Sequence, residues 1–145
     1  MIFMRIVFVC HANICRSPMA EVIFKSLVND VEVISAGLFT SPGEKASTNA
    51  VEICKYNNLD LTYHRSKRFH DLDIKEDDLI LTLTTDIRDN IKDSFPDLEV
   101  YTIKEYAGEK EYLDIKDPVG GNLEVYETCF CEIKYYLEII AGSLD

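Results

Sequence analysis

A length of 145 residues suits one domain with a single hydrophobic core, and we expect one domain over residues 1–145. Hydrophobic residues make up 47% of the chain, and no apolar run approaches the ~20 residues that a membrane-spanning helix needs. The formal net charge is −11, from 26 acidic and 15 basic residues, which argues against broad contact with nucleic acid or an anionic membrane. Any anionic ligand must therefore be held by a strong local site.

The start of the chain and its cysteines indicate the compartment. Residues 1–9 are apolar but lack the basic lead and the cleavage site of a signal peptide, so we interpret them as a buried strand and expect a cytoplasmic protein. Five cysteines without a secretory signal argue against a disulfide framework. Zinc is not expected, because no Cys-x-x-Cys pair is present and Cys129 and Cys131 point in different directions on a predicted helix.

Strand-like and helix-like segments alternate along the chain. The first strand, at residues 2–9, is followed by a helix at 18–27, in which Pro18 takes the first position and Ser17 caps the N-terminus. Further strands are predicted at 31–34, 79–83 and 99–103. Further helices are predicted after a cap at Ser47 or Thr48 and at 86–94. The acidic stretch at 71–78 is predicted as a solvated helix. The last helix is predicted from the spacing of Leu123, Tyr126, Phe130, Ile133, Leu137 and Ile140.

This alternation predicts an α/β fold, a three-layer sandwich in which helices cover both faces of a four-stranded parallel sheet. By analogy with flavodoxin-like sheets, the expected strand order is 2-1-3-4. Ligands bind to such sheets beyond the carboxyl ends of the strands, where the order reverses beside strand 1. Residues 10–17, after strand 1, and residues 104–122, after strand 4, are therefore expected to share one crevice.

The segment after the first strand, residues 10–17, has the pattern Cys-x5-Arg-Ser. A short loop that enters a helix points several backbone N–H groups at one centre, and the helix dipole adds positive charge there. The guanidinium of Arg16 can donate to two phosphate oxygens at once. Because such surroundings favour the ionised form of a thiol, Cys10 is expected to be a thiolate nucleophile that accepts a hydrogen bond from Ser17. The segment predicts phosphoryl transfer through a cysteinyl-phosphate.

A candidate proton donor lies in residues 115–121. Pro118 keeps Asp117 out of the helical region, and the two glycines that follow free the next turn. A carboxylic acid there can protonate the leaving oxygen and then activate water, which is worth roughly 10²–10⁴-fold in rate. An Asp-Pro pair alone is usually a turn, so this assignment depends on the predicted position of Asp117 beside residues 10–17.

Residues 9–21 closely resemble the signature of the low-molecular-weight protein tyrosine phosphatases. Three further motifs resemble that family in the same order: Ser-Ala-Gly at 35–37, His-Arg-Ser at 64–66 and Asp-Pro at 117–118. The resemblance spans nearly the whole chain. It implies Cys10 as the nucleophile, Arg16 as the phosphate-binding residue and Asp117 as the general acid and base.

The same resemblance implies supporting roles around the loop. Asn13 is expected to hold a strained backbone through hydrogen bonds with three residues, Ser17, Ser35 and His64. Cys15 resembles the family's neighbouring cysteine, which traps an oxidised nucleophile as a reversible disulfide. The expected phosphate- and substrate-binding residues are the loop positions His11, Ala12, Asn13, Ile14, Cys15 and Ser17.

Two departures from the family pattern concern the substrate pocket. The family often has Leu-Gly or Thr-Gly after the nucleophile, whereas this chain has His11 and Ala12. His11 either lines the pocket mouth or faces solvent. Tyrosine-directed members usually carry one or two aromatic residues after Asp-Pro, whereas this chain has Val119 followed by two glycines.

The substrate is inferred from Ile14. Residues 35–42 and the Asp-Pro-x-Gly-Gly of 117–121 resemble the bacterial protein-arginine phosphatase branch, but that branch has threonine where this chain has Ile14. Isoleucine, which tyrosine-directed members have there, offers apolar surface to a flat ring and no hydrogen bond. A pocket built to hydrogen-bond its substrate penalises a missing partner heavily. Phosphotyrosine is therefore the predicted substrate and phosphoarginine the alternative.

A third hypothesis is a thioredoxin-coupled arsenate reductase, which shares the loop and the fold. Such reductases relay oxidation through further cysteines soon after strand 3, where residues 83–88 contain none. The expected partners are thus a phosphorylated protein or peptide and the product, inorganic phosphate. We expect no nucleic-acid or membrane partner, no metal or other cofactor, and a monomer.

Overall fold

The computed structural model describes residues 5–144, and these contain a four-stranded parallel sheet. Its strands are β1 (Arg5–Cys10), β2 (Glu32–Gly37), β3 (Asp78–Thr82) and β4 (Glu99–Thr102). They lie in the order β2-β1-β3-β4. The predicted α/β fold and strand order are confirmed, while residues 2–4 of the first predicted strand lie outside the described residues.

Helices follow the strands along the chain. They are α1 (Arg16–Leu27), α2 (Thr48–Tyr56), α3 (Thr85–Ser94), α4 (Ile103–Tyr106) and α5 (Leu123–Ser143), with a 3₁₀ turn at Phe69–Asp71. The apolar stripe predicted for the last helix is buried in α5, except for Leu123, which is half-buried. Each parallel strand connects to the next through a helix, as the geometry of parallel pairing requires.

The central strand β1 is buried on both faces, so it carries an unbroken apolar sequence. Ile6 and Phe8 pack into one core with residues of α1, α2 and α5, whereas Val7 and Val9 pack into the other core with residues of α3. The two cores are the two interfaces of a three-layer sandwich. Cys10 is the last residue of β1, at the carboxyl edge of this doubly covered sheet.

The start of α1 corrects the predicted cap. The helix begins at Arg16 with Cys15 at the N-cap position, and no side chain caps it. Ser17 lies inside the first turn, and its hydroxyl is 2.8 Å from Cys10 Sγ. The prediction that Ser17 caps the helix is wrong because the hydroxyl is hydrogen-bonded within the loop instead. The alternatives at α2 are resolved in favour of Ser47, whose side chain accepts from the N–H of Ala50.

The acidic stretch at 71–78 does not form the predicted helix. It continues from the 3₁₀ turn as an irregular segment, and Asp78 begins β3. Leu72 and Ile74, two residues apart, both pack against the core beside α3, a spacing that a helix face would not satisfy. Asp78 is buried, and the guanidinium of Arg5 lies 2.7 Å from its carboxylate, which offsets the cost of burying the charge.

No helix within residues 5–144 is long and apolar enough to cross a membrane.

Candidate active site

The loop between β1 and α1 surrounds the Cys10 thiol with hydrogen-bonding groups. Cys10 is only 3% exposed. The Ser17 hydroxyl lies 2.8 Å from Cys10 Sγ, and the backbone N–H of Asn13 donates to the same sulfur over 3.2 Å. One N–H donor and one hydroxyl therefore lie within hydrogen-bond distance of the same sulfur atom at the N-terminus of α1, where the helix dipole favours negative charge.

Asn13 organises the loop from beneath. Its φ of 59° lies in the left-handed region, which asparagine tolerates better than most residues. The side-chain amide donates to the Ser17 and Ser35 hydroxyls, each over 2.9 Å, and Asn13 Oδ1 accepts from the backbone N–H of Lys67 over 2.9 Å. Ser35 in turn donates to Glu21 over 2.7 Å. The expected contacts of Asn13 with Ser17 and Ser35 are thus present.

His64 supports the same residue from the other side. Its Nε2 lies 2.7 Å from the carbonyl oxygen of Asn13, so the ring donates through Nε2–H. Burial lowers the pKa of His64, and the positive charges of Lys67 and Arg65 lower it further, although the bond to Asn13 opposes this. The ring is therefore held neutral with the tautomer that the contact needs, and the expected link between Asn13 and His64 is present through the backbone.

Arg16 joins the loop to the segment that carries Asp117. The guanidinium is buried, and Nη1 donates to the carbonyl oxygen of Ile115 over 2.7 Å. Arg16 Nη2 lies 3.6 Å from Asp117 Oδ2. The backbone N–H of Ile115 donates to the Leu83 carbonyl at the end of β3 over 2.9 Å, which fixes this segment at the carboxyl edge of the sheet. The three residues predicted to act together, Cys10, Arg16 and Asp117, thus belong to one crevice.

The Asp117 carboxylate is open to solvent, with 48% of the side chain exposed. Asp117 Oδ1 accepts from the backbone N–H of Val119 over 3.0 Å, a local turn that orients the carboxylate. Gly120 has a φ of 83°, which completes the turn predicted after Pro118. The carboxylate is thus placed by its own turn and by Arg16, with one face open to solvent.

His11 lies between two residues that the sequence did not identify. Its ring stacks on Phe39, with centroids 5.7 Å apart and an interplanar angle of 21°, and His11 Nε2 lies 3.2 Å from Asp86 Oδ2. Phe39 is 65% exposed. The His11 side chain is 42% exposed, so it is partly open to solvent, and its place at the pocket mouth stays a prediction. The signal that the sequence could have offered is an aromatic residue, Phe39, two residues after the end of β2.

Cys15 faces away from solvent, towards α2 and α5. Its thiol donates to Ser47 Oγ over 3.3 Å and lies 3.3 Å from the Tyr126 hydroxyl. Burial raises the pKa of Cys15. The thiol is unpaired in this structure, so the reversible disulfide with Cys10 stays a prediction.

Ile14 and Ala12 complete the loop. Both are half-buried, and the carbonyl oxygen of Ile14 accepts from the backbone N–H of Ser47 over 2.8 Å. Gly37 makes a close approach to the loop, because a Cβ there would lie 2.8 Å from the His11 carbonyl oxygen and 3.0 Å from the Ala12 carbonyl carbon. The glycine at the end of β2 lets the loop pack directly against the sheet.

Phosphatases with a cysteine nucleophile typically combine three features that are found here: a cysteine sulfur beside an N–H donor and a hydroxyl at a helix N-terminus, a buried guanidinium, and an adjacent carboxylate. The family model for low molecular weight phosphotyrosine protein phosphatase matches residues 5–145. The chain therefore belongs to the low-molecular-weight protein tyrosine phosphatase family, a family of hydrolases.

Individual relatives carry two different names. A protein-arginine-phosphatase from Bacillus subtilis (strain 168) is 36% identical over 97% of this chain and 97% of its own length. The low molecular weight protein-tyrosine-phosphatase PtpB from Staphylococcus epidermidis is 38% identical over 90% of this chain and 91% of its own.

Solved structures confirm the fold. The low molecular weight protein tyrosine phosphatase from T. tengcongensis has a TM-score of 0.89 at 37% identity, covering 97% of this chain and 99% of its own. A mutant of YwlE from Bacillus subtilis has a TM-score of 0.87 at 35% identity, covering 97% and 98%.

Proposed function

We propose that this protein hydrolyses phosphotyrosine in protein substrates through a cysteinyl-phosphate intermediate. The observation that carries the proposal is the convergence of the Ser17 hydroxyl and the Asn13 N–H on Cys10 Sγ, at the start of the helix that also bears the buried Arg16. This arrangement supports a nucleophilic sulfur next to a site for a dianion. The proposed catalytic residues are Cys10, Arg16 and Asp117.

In the first step, the phosphoryl group lies in the loop, with its oxygens bound by backbone N–H groups and by the Arg16 guanidinium. Cys10 Sγ attacks phosphorus with its electron pair, so that a P–S bond forms while the P–O bond to the tyrosine breaks. Asp117 donates its proton to the departing phenolic oxygen. The proposal is supported by the 3.6 Å between Arg16 Nη2 and Asp117 Oδ2, which places acid and phosphate-binding group side by side.

In the second step, water attacks the phosphorus of the cysteinyl-phosphate. The Asp117 carboxylate accepts a proton from that water, a P–O bond forms, and the P–S bond breaks to release inorganic phosphate. The Ser17 hydroxyl, 2.8 Å from Cys10 Sγ, stabilises the returning thiolate by donating to it. The exposure of Asp117 supports this role, because the attacking water has to reach it.

The preference for tyrosine is supported by the apolar and aromatic surfaces beside the loop. Ile14 offers no hydrogen-bonding group to a guanidinium, and the stacked rings of His11 and Phe39 offer a flat wall to a phenyl ring. In this proposal His11 and Phe39 supply the aromatic surface that Val119 does not supply after Asp-Pro.

Phosphoarginine is the second candidate substrate, because the Bacillus subtilis relative named a protein-arginine-phosphatase covers nearly the whole chain. The Asp-Pro-x-Gly-Gly sequence of residues 117–121 favours the same candidate. A carboxylate close to the pocket wall, that of Asp86, also suits a cationic leaving group.

Hydrolysis of matched peptides tests the substrate. Phosphotyrosine and phosphoarginine peptides of the same sequence are compared with the wild-type protein, Ile14→Thr and Cys10→Ser. We expect the wild type to prefer phosphotyrosine, Ile14→Thr to shift towards phosphoarginine, and Cys10→Ser to turn over neither. A wild type that prefers phosphoarginine would replace the first candidate with the second.

Arsenate-dependent oxidation of reduced thioredoxin tests the reductase hypothesis. We expect none, because residues 83–88 after β3 contain no cysteine to relay the oxidation. A cytoplasmic location and a monomeric state stay predictions from the sequence.

A further inference from the structure

Three cations lack carboxylate partners beside residues 10–17, which we call the phosphate loop. We define the basic rim as Lys45, Arg65 and Lys67. Within residues 5–144, no carboxylate oxygen lies within 4.0 Å of any of these three side-chain cations. Neighbouring cations are neutralised, since Lys25 pairs with Glu21 and Arg68 with Asp71. In a chain with a net charge of −11, three unpaired cations in one place are a distinct feature.

The basic rim is built from two segments that are fastened together. The Ser66 hydroxyl donates to the Ser41 carbonyl over 2.6 Å and accepts from the N–H of Glu44 over 2.8 Å. Lys45 and Arg65 form an antiparallel bridge. Residues directly opposite each other in such a bridge project from the same face. The charges of Lys45 and Arg65 therefore belong to one surface.

The rim is attached to the phosphate loop by direct contacts. The backbone N–H of Lys67 donates to Asn13 Oδ1 over 2.9 Å, and Ser47, two residues after Lys45, donates its N–H to the Ile14 carbonyl over 2.8 Å. The residue after Lys67, Arg68, forms an isolated parallel bridge with Gly37 at the carboxyl end of β2. The rim thus lies at the edge of the sheet where the loop binds phosphate, on the side of β2.

A groove lies beside the rim. It has a volume of about 380 Å³, and its lining includes Lys45, Arg65, Val51 and the exposed ring of Tyr63. Glu52 also lines this groove, and Glu44 lies next to Lys45 in the chain. These carboxylates and the overall acidity disfavour a long polyanion such as RNA, whereas one or two acidic side chains need only the local cations.

We propose that the basic rim binds acidic side chains that flank the phosphorylated residue of a protein substrate, and that it thereby selects substrates with Glu or Asp near the phosphorylation site. This rests on the proposed function only in requiring a phosphorylated protein as the substrate. The cations steer the peptide and hold it beside the loop, while the chemistry occurs at Cys10.

The test compares two phosphotyrosine peptides that differ only in having Glu or Gln at the flanking positions. We expect the wild-type protein to have a kcat/KM about three- to tenfold higher for the Glu peptide, as two exposed ion pairs would give. Lys45→Glu/Arg65→Glu should reverse the preference, and Lys45→Gln/Arg65→Gln should abolish it. High salt should remove the wild-type preference, because exposed charges are screened.

The matched control is Lys110→Glu/Lys134→Glu, which changes the net charge equally at two exposed lysines outside the rim. It should keep the wild-type preference, and p-nitrophenyl phosphate, which has no flanking residues, should be hydrolysed equally by all variants. Equal kcat/KM values for the two peptides in the wild type would overturn the proposal. So would equal effects of the rim and control variants, or competition by anionic lipid vesicles that is stronger than competition by the Glu peptide.

Phosphoarginine peptides with the same flanks separate this proposal from the proposed function. If the wild type turns over only phosphoarginine peptides but still prefers acidic flanks, the assignment of tyrosine fails and the basic rim stands. If it turns over phosphotyrosine peptides without regard to their flanks, the basic rim proposal fails and the assignment of tyrosine stands.

Discussion

The phosphate loop and the segment that carries Asp117 meet at one crevice but are built in opposite ways. In the loop, Cys10 and Asn13 are buried, and Asn13 alone makes hydrogen bonds with five residues, one of which is Cys10. In the other segment, Asp117 is half exposed, and its carboxylate has one backbone donor and the longer contact with Arg16. One half of the site is overdetermined, and the other is lightly held.

This difference matches the role that we propose for each half. A group of donors that stabilises charge in the transition state is effective only if it is oriented before the reaction, so it needs rigid support. A proton donor that serves first a leaving group and then a water has to remain reachable by both. The largest effect is therefore expected at Cys10, in the rigid half.

Replacing the proposed nucleophile should abolish turnover while leaving the loop intact. We expect Cys10→Ser to lower kcat by about 10⁵-fold or more, because an unactivated hydroxyl does not replace a thiolate. The loop should still bind inorganic phosphate or vanadate, since its other donors and Arg16 are unchanged. Steady-state kinetics and isothermal titration measure the two quantities. Retention of substantial phosphatase activity would mean that Cys10 is not the nucleophile.

The rate loss on replacing the proposed proton donor should depend on the leaving group. Asp117→Asn keeps the size of the side chain but removes its proton, so kcat for phenyl phosphate should fall by roughly 10²–10⁴-fold. p-Nitrophenyl phosphate, whose leaving group needs less help, should be affected far less. Because Asp117 is exposed and lightly held, the melting temperature should barely change. Equal slowing of both substrates would show that Asp117 is not the proton donor.

Replacing Asn13 should damage stability and activity together. Asn13→Ala removes the buried contacts with Ser17, Ser35 and the N–H of Lys67 and leaves alanine at a φ of 59°. We expect a loss of about 3 kcal/mol in the free energy of unfolding, from unpaired buried groups and backbone strain. The value of kcat should fall by roughly tenfold or more, because the loop donors lose their orientation.

Asn13→Gly is the control for the backbone. Glycine adopts a positive φ without strain, so any stability that Asn13→Gly regains over Asn13→Ala measures the backbone contribution alone. Urea denaturation monitored by circular dichroism gives both values. If both variants were as stable and active as the wild type, the Asn13 network would not support the site.

The sequence predicts the features of the site that depend on local signals. The fold and the loop follow from local signals, namely a β-branched strand, a helix that begins with Pro18 in its first turn and a motif of eight residues between them. The position of Asp117 also follows, because parallel strands bring their carboxyl ends to one edge.

Contacts between distant segments could not be predicted in this way. Nothing local to Asp86 or Phe39 indicates that they hold His11, and nothing local to Tyr126 indicates that it meets Cys15. The predicted helix at 71–78 is wrong for a related reason: burial of Leu72 and Ile74 against a neighbouring core outweighs a charge pattern that a solvated helix would also fit.

The smallest expected effect is a pH dependence of stability that involves the loop and not the segment that carries Asp117. Burial lowers the pKa of His64, so below about pH 6.5 the unfolded chain binds a proton that the folded chain does not. The free energy of unfolding should therefore decrease as the pH falls below that value. Glu21, Arg65 and Lys67 also act on the ring, the carboxylate opposing the two cations. A lower pH is therefore expected to weaken the support of the loop by lowering the stability of the folded chain.

His64→Gln tests this, since an amide can still donate to the Asn13 carbonyl but does not titrate. Urea denaturation of both proteins at pH 7.5 and pH 5.5 should show a larger loss of stability at the lower pH in the wild type. Every other titrating group is common to the two proteins and cancels in that difference. If the wild type and His64→Gln differed in stability by the same amount at both pH values, the neutral ring would not be what supports the loop. By contrast, Asp117→Asn should leave this stability difference unchanged, because its exposed carboxylate contributes to rate and not to the support of the loop.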